Sequence, residues 1–336
     1  MPKTAKKYKK ILVTGTAGFI GFHLAKELLR DKDCEVVGID SITDYYDVRM
    51  KQKRNEVLKK YSNYTFYKVN LADYKKLENI IKKEKPEAII HLAAQAGVRY
   101  SLTNPWAYEQ SNYLGTLNIF EASKNFGIKR VLFASSSSVY GSNKKVPFSE
   151  KDIVDHPISI YAASKKANEV LAHSYHHLYG TETAGMRFFT VYGEYGRPDL
   201  ALFKFTKNIL LDKPIDVYNG GKMMRDFTYV DDIVAGIIGI LNKRDLKYEI
   251  YNLGGDNPVS LMGFIRLIEK FLGKKAKINF MPLQPGDVTK TMADISKAKK
   301  EIGFEPKTRI EDGTEKFIRW FLENKNWLLK LEDPKQ

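Results

Sequence analysis

The chain has 336 residues, 43% hydrophobic and 28% charged, which is the composition of about two folded domains and excludes a disordered chain, a collagen-like repeat and a coiled-coil rod. A single cysteine, Cys34, excludes an internal disulfide framework and a cysteine-based zinc site, and the longest wholly apolar stretch, residues 233–241, is far shorter than the roughly 20 residues of a membrane helix. The net charge of +15 suggests an anionic or nucleic-acid partner, but Lys51, Lys53, Arg54, Lys59, Lys60, Lys75, Lys76, Lys82, Lys83 and Lys85 alternate with acidic and apolar residues, as on solvated helix faces, so the expectation is a cytoplasmic protein with no nucleic-acid or membrane partner.

Residues 1–7 read as a flexible basic tail. Short β-rich runs then alternate with longer segments of helical spacing. Ile11–Thr14, Glu35–Ile39, Tyr64–Val69, Ala88–Leu92 and Arg130–Ala134 are predicted strands. Phe22–Arg30, Arg49–Lys60, Tyr74–Lys85, Leu114–Phe126 and Ser164–Leu178 are predicted helices. The strands are continuous apolar runs, as expected where helices cover both faces of a parallel sheet. The fold class is therefore α/β, a Rossmann-type doubly wound parallel sheet. After about residue 185 the order becomes less regular and richer in turn residues, which points to a smaller C-terminal α/β lobe. The expected division is 8–185 for a dinucleotide-binding domain that also receives segments at roughly 225–256, and 186–330 mainly for the second lobe.

Two constellations carry chemistry. Gly15, Gly18 and Gly21 follow the first strand and open a helix, which suits a tight turn, a close backbone approach to pyrophosphate, and close helix–strand packing. Asp40 ends the second strand and can accept hydrogen bonds from both ribose hydroxyls while repelling a 2′-phosphate, which favours NAD. Downstream, Tyr161 and Lys165 form a YxxxK pair on one helical face, where an ammonium would lower the phenol toward neutrality. Ser135, Ser136, Ser137 and Ser138 end a predicted strand, where ligands of parallel sheets bind. A phenolate there can take a hydroxyl proton while hydride leaves the same carbon, with a serine sharing the reacting oxygen.

Together with His91-Leu92-Ala93-Ala94-Gln95, Ser138-Val139-Tyr140-Gly141, the run Arg225–Asp232 and Gln284-Pro285-Gly286-Asp287, these motifs make the chain resemble the extended short-chain dehydrogenase/reductases, the family of nucleotide-sugar epimerases and dehydratases. The resemblance spans Lys10 to about Trp320. It implies catalytic roles for Tyr161, Lys165 and Ser136. It implies NAD contacts at Gly15, Gly18, Phe19, Ile20, Gly21, Asp40, Asn70, Leu71, Leu92, Ala93, Ala94, Gln95, Asn112, Tyr161, Lys165 and Phe188. Substrate contacts are implied at Arg99, Ser136, Ser137, Ser138, Thr190, Arg197, Tyr218, Arg225 and Asp287, with Arg225 toward a diphosphate, Asp287 on a ribose and Tyr218 near uracil. Similar proteins often pair as homodimers through two helices each, here the segments around 114–126 and 164–178.

Sugar dehydratases of this family carry an Asp-Glu pair where this chain has Ser137 and Ser138, so elimination of water is not expected. Residues 94–101, 187–193 and 196–203 resemble UDP-glucuronate 4-epimerases, which implies C4 epimerisation of a UDP-sugar through a transient 4-ketone. Galactose-type epimerases usually carry Asn at Thr190 and Arg at Gln284. A uronate that becomes a β-keto acid must be kept from losing carbon dioxide. Arg197 offers a fork for that carboxylate, although it could instead pair with Asp199 or Glu194. Arg99 divides between a substrate contact and a local loop contact, and Arg187 is less suited because it lies in a strand-like run. UDP-glucose or UDP-N-acetylglucosamine as substrate, uronate decarboxylation, and a non-catalytic NAD-binding scaffold remain alternatives. His173, His176 and His177 are expected to be structural, with no metal bound.

Overall fold

A computed structural model describes residues 8–284 and 288–334. In chain order the first half contains β1 (Lys10–Thr14), α1 (Phe19–Leu28), β2 (Glu35–Asp40), α2 (Val48–Leu58), β3 (Tyr64–Lys68), α3 (Tyr74–Glu84) and β4 (Ala88–His91). Two single-turn helices, α4 (Tyr100–Thr103) and α5 (Pro105–Tyr108), lead through a π-helical segment, Glu109–Leu114, into α6 (Gly115–Asn125). Next come β5 (Arg130–Ser136), a 3-10 turn at Ser137–Tyr140, α7 (Ile160–Tyr179), β6 (Glu182–Phe188) and β7 (Thr190–Tyr192). The remainder is α8 (Ala201–Leu210), β8 (Ile215–Tyr218), β9 (Met224–Tyr229), α9 (Val230–Leu241), β10 (Tyr248–Leu253), β11 (Pro258–Ser260), α10 (Leu261–Leu272), β12 (Ile278–Met281), α11 (Ser296–Ile302), α12 (Ile310–Glu323) and α13 (Lys325–Leu328).

Seven parallel strands form the central sheet in the order β10-β6-β5-β4-β1-β2-β3. This is the doubly wound arrangement expected from the strand–helix alternation. Alternate strand residues feed two cores, one on each face. Ile11, Val13, Val36, Ile90, Leu132 and Met186 pack with α1, α9 and α11, while Leu12, Val37, Ile39, Ile89, Val131 and Phe133 pack with α3, α6 and α7. The strand order reverses between β1 and β4, so their C-terminal ends open the crevice where such sheets bind ligands.

A third core, built from α8, β8, α10 and α12, also takes in Tyr46 and Met50 from the α2 region. Two small sheets, β11-β9-β7 and β12-β8, frame this second lobe. The five predicted strands lie within two residues of the observed ones. Two helices start three or four residues earlier than predicted. In α1 the glycine loop turns straight into the helix at Phe19, and in α7 Ser159 supplies the N-cap, its Oγ accepting from the Ala162 amide at 3.1 Å.

Candidate active site

The glycine loop is shaped by contacts that admit no side chain. Gly15 has φ +78°, and a Cβ there would lie 2.8 Å from the Ala93 amide nitrogen; one on Gly21 would lie 2.1 Å from the Gly15 carbonyl oxygen. Gly18, the N-cap of α1, brings no capping side chain, so the first-turn amides point into the crevice with nothing of their own residue to satisfy them. Asp40 closes the loop from the neighbouring strand: its Oδ2 accepts from the Ala17 amide at 3.1 Å and its Oδ1 from the Ile42 amide at 2.8 Å. Uncapped amides beside a buried carboxylate fit the pyrophosphate and ribose of NAD. Phe19 is buried and packs edge-on to His23, so only its backbone faces the loop.

The strip 92–95 follows β4 over the same crevice. The Thr14 hydroxyl accepts from the Ala93 amide at 3.1 Å and meets His91 Nδ1 at 2.8 Å, while His91 Nε2 meets the Thr116 hydroxyl at 3.0 Å. Burial, aided by the Lys165 charge, holds His91 down at about 3, so it is neutral. Asn112 corrects an expectation. Its side chain is wholly buried, accepting from the Gln95 amide at 2.8 Å and donating to the Gln95 carbonyl at 3.0 Å and Ser164 Oγ at 2.9 Å. It therefore places Gln95 rather than touching a ligand. Leu71 and Phe188 likewise sit in the cores with only slight exposure, and Asn70 accepts from the Ala72 amide in an exposed turn.

Tyr161 and Lys165 lie on the first two turns of α7, facing the end of β5. Ser136 lies beside Tyr161 and acts to lower its phenol, and its Oγ accepts from the Ser138 amide at 3.1 Å. The expected electrostatics are altered. Lys165 Nζ donates to the Ala134 carbonyl at 2.9 Å, and burial lowers it to about 7. Burial raises the Tyr161 phenol above its ordinary value, opposed by Ser136 and the positive charge of Arg197. The positive charge of Arg197, which the sequence did not place here, bears on the phenol. Ser137 and Ser138 begin the 3-10 turn, half-buried beside it.

On the substrate side, the fork of Arg197 is engaged. Its Nε donates to Asp199 Oδ1 at 2.9 Å and its Nη2 to Asp199 Oδ2, with Tyr45 Oη also donating to Asp199 at 3.4 Å. The pairing with Asp199 that the sequence left open is the observed one, and Glu194 instead accepts from Tyr229. Burial works against the Arg197 charge, but Asp199 keeps its pKa above the ordinary value. The Arg99 guanidinium stacks over the Tyr218 ring at 4.3 Å, bringing two expected substrate residues together across the lobes. Arg225, in β9, donates to the Met224 carbonyl at 3.0 Å, and Thr190 opens β7 one strand away. Its neighbour Asp226 is a structural clip, accepting from the amides of Gly255 and Ala293 at 2.5 and 2.7 Å. Asp287 and residues 1–7 lie outside the described residues.

Three charged groups were missed as parts of the site. Lys51 and Arg54, expected on a solvated face, are buried. Lys51 Nζ donates to the Thr43 carbonyl and hydroxyl, both at 2.8 Å, and burial lowers it to about 8. Arg54 Nη1 donates to the Ala17 carbonyl at 2.8 Å and Tyr46 Oη at 2.7 Å; its Nε and Nη2 donate to the Tyr195 carbonyl at 3.1 and 2.7 Å. Glu169, one turn beyond Lys165, takes both Nε and Nη2 of Arg187 at 2.8 Å and Ser135 Oγ at 2.6 Å, tying α7 to β5 and β6. The sequence signal for Glu169 was its i+4 spacing from Lys165. For Arg54 there was none. His176 Nδ1 meets the Thr181 carbonyl at 2.9 Å and His173 packs edge-on to Tyr248; no metal-binding group of three occurs among the described residues.

The family model described as GDP-mannose 4,6 dehydratase matches residues 12–317. Protein CapI of Staphylococcus aureus is 51% identical, with 94% of this chain and 98% of that protein covered. The UDP-glucuronate 4-epimerase of Thermodesulfobacterium geofontis is 46% identical over 93% of this chain and 96% of its own length. Among solved structures, UDP-glucuronic acid 4-epimerase from Bacillus cereus, in complex with UDP-glucuronic acid and NAD, matches with a TM-score of 0.89 at 35% identity, covering 94% of this chain and 99% of that one.

Proposed function

The chain belongs to the GDP-mannose 4,6-dehydratase family of extended short-chain dehydrogenase/reductases, and from that membership we propose that it is an NAD-dependent UDP-glucuronate 4-epimerase, an isomerase that forms UDP-galacturonate. The observation that carries this reading is the setting of Tyr161: Ser136 beside it, an arginine charge, and serines rather than carboxylates at 137 and 138. A phenol stands where the C4 hydroxyl proton must move, and no carboxyl group stands at 137 or 138 to expel water.

NAD, when bound, accepts a hydride from C4 and returns it. The Gly15–Gly21 loop and the N-terminus of α1 would hold its pyrophosphate, Asp40 its adenosine ribose, and residues 92–95 its inner face. In its ionised form Tyr161 takes the C4 hydroxyl proton as the ketone forms, becoming the neutral phenol, while Ser136 holds the same oxygen. The 4-keto sugar then turns over within the pocket, and Tyr161 gives the proton back to the new C4 oxygen. Between these steps the sugar is a β-keto acid. It loses carbon dioxide when the carboxylate carbon–carbon bond stands perpendicular to the carbonyl plane. Ser137, Ser138 and Thr190 restrain the carboxylate away from that geometry, together with the Nη1 edge of Arg197, since Asp199 takes its Nε and Nη2. Asp199 keeps the guanidinium oriented.

In this reading the cofactor lobe comprises 8–185 with 225–256, and the UDP-sugar lobe lies mainly within 186–330. The enzyme acts in the cytoplasm as a homodimer and supplies a uronate for polysaccharide synthesis. Support for the dimer comes from exposed apolar side chains on the adjoining elements α5, the π-helical segment, α6 and α7, among them Trp106, Tyr113, Leu117 and Val170.

The test is proton NMR of UDP-glucuronate with purified protein and no added reductant. UDP-galacturonate signals without a UDP-pentose are expected, and Tyr161→Phe should slow their growth at least about 100-fold. Conversion of UDP-glucose instead would move the assignment to a neutral-sugar epimerase. A UDP-pentose product would make it a decarboxylase.

A further inference from the structure

The loop that carries Arg197 is held in a conformation that it would not adopt by itself. Tyr195, two residues before Arg197, has φ +55°, a left-handed setting that a non-glycine residue rarely adopts unaided. Gly193, at φ +144°, and Gly196, where a Cβ would lie 2.9 Å from the Gly193 carbonyl oxygen, make the rest of the turn. Strained backbone persists only where its surroundings over-determine it. Here the ring of Tyr195 is wedged between Phe22 and Trp320, each at 4.8 Å. The carbonyl of Tyr195 is fixed by two nitrogens of Arg54, whose Nη2 also reaches the Gly196 carbonyl at 3.4 Å.

The other edge of Arg54 is bound to the cofactor loop. Nη1 donates to the Ala17 carbonyl, and the amide of Ala17 donates to Asp40. One buried guanidinium therefore connects Asp40, the Ala17 peptide, the Tyr195 peptide and, two residues on, Arg197. Among the described residues its hydrogen-bond partners are backbone carbonyls and one phenol, with no carboxylate. A lysine in its place could reach one side of this bridge but not both, because only the planar fork spans two directions.

We propose that Arg54 is a positioning residue for substrate specificity: it locks the strained Tyr195 peptide to the dinucleotide loop and so places Arg197 for the substrate carboxylate. This inference rests on the reading of the substrate as a UDP-uronate. Arg54 is fully buried and acts through the peptides it holds. Because Arg54 also holds the Ala17 peptide of the dinucleotide loop, binding is compared in the NAD-loaded state, where the difference between a uronate and a neutral sugar isolates its effect on Arg197.

The experiment measures binding of UDP-glucuronate and UDP-glucose to the NAD-loaded protein by calorimetry, for the native chain, Arg54→Gln and Arg54→Lys. Arg54→Gln is expected to weaken UDP-glucuronate by about tenfold while UDP-glucose changes by less than about twofold, and Arg54→Lys to fall between native and Gln. Turnover by the variants should also release a larger share of decarboxylated UDP-pentose. Equal weakening of both sugars, or no change in either, would overturn the proposal, because a merely structural role does not single out the carboxylate. If Arg54→Gln does not fold, Arg54→Lys decides by the same ratio. A native protein that binds both sugars equally would instead refute the uronate reading itself.

Discussion

At the level of single residues, burial governs the chemistry more than pairing does. Lys165 and Tyr161 are adjacent on one helical face, yet the ammonium turns to a carbonyl and the phenol is raised rather than lowered. The YxxxK spacing was legible because helical periodicity alone puts the two on one side. The charge state was not, because it depends on what covers them. His91 gives a direct test. Its folded pKa, about 3, lies below the ordinary value of 6.5, so folding favours the neutral ring. Its contribution is complete above pH 6.5 and is lost as pH falls toward 3, at up to about 1.4 kcal/mol per pH unit. Urea unfolding at pH 7 and pH 5 should show a smaller acid loss for His91→Gln than for the native chain. An unchanged loss would mean that other groups carry the acid sensitivity.

Among the elements, α1 and α7 were readable because each has a local start signal, the glycine loop in one and Ser159 in the other. The π-helical segment Glu109–Leu114 had no such signal. It is a register defect imposed where α5 and α6 pack against α7, and it turns Asn112 inward. That one amide satisfies both backbone groups of Gln95 and the hydroxyl of Ser164. Replacing Asn112 with Leu would leave buried partners unsatisfied, each costing about 1–3 kcal/mol. Denaturant unfolding should therefore show a loss of several kcal/mol, with weaker NAD binding as Gln95 shifts. Full stability in that variant would show that Gln95 is held by something else.

Across the whole molecule, the two lobes meet through α2 and the 193–199 loop. Met50 and Tyr46 enter the second lobe's core, Arg54 bridges to the loop, and His23 of α1 meets the Glu194 carbonyl at 2.8 Å. The opposite side of the sheet carries the apolar strip. Trp106 is 75% exposed and Val170 55%, and theirs is the face that the proposed dimer would cover. Val170→Asp should shift the protein from dimer to monomer in light scattering at micromolar concentration while leaving NAD binding in place. A native chain that is already monomeric would remove the dimer from the proposal.

The sequence by itself determined the parallel sheet, the glycine loop with Asp40, and the Tyr161–Lys165 helix, since each follows from short-range periodicity or from spacing within one turn. It also left Arg197 with two partners, carboxylate of substrate or of Asp199. Only the tertiary structure decided that Asp199 holds the fork, that Asn112 serves Gln95, and that Lys51 and Arg54 are interior. Those outcomes depend on which distant carbonyls and rings surround a charge. A helix in which lysine and arginine alternate with acids looks the same in sequence whether water or another lobe lies against it.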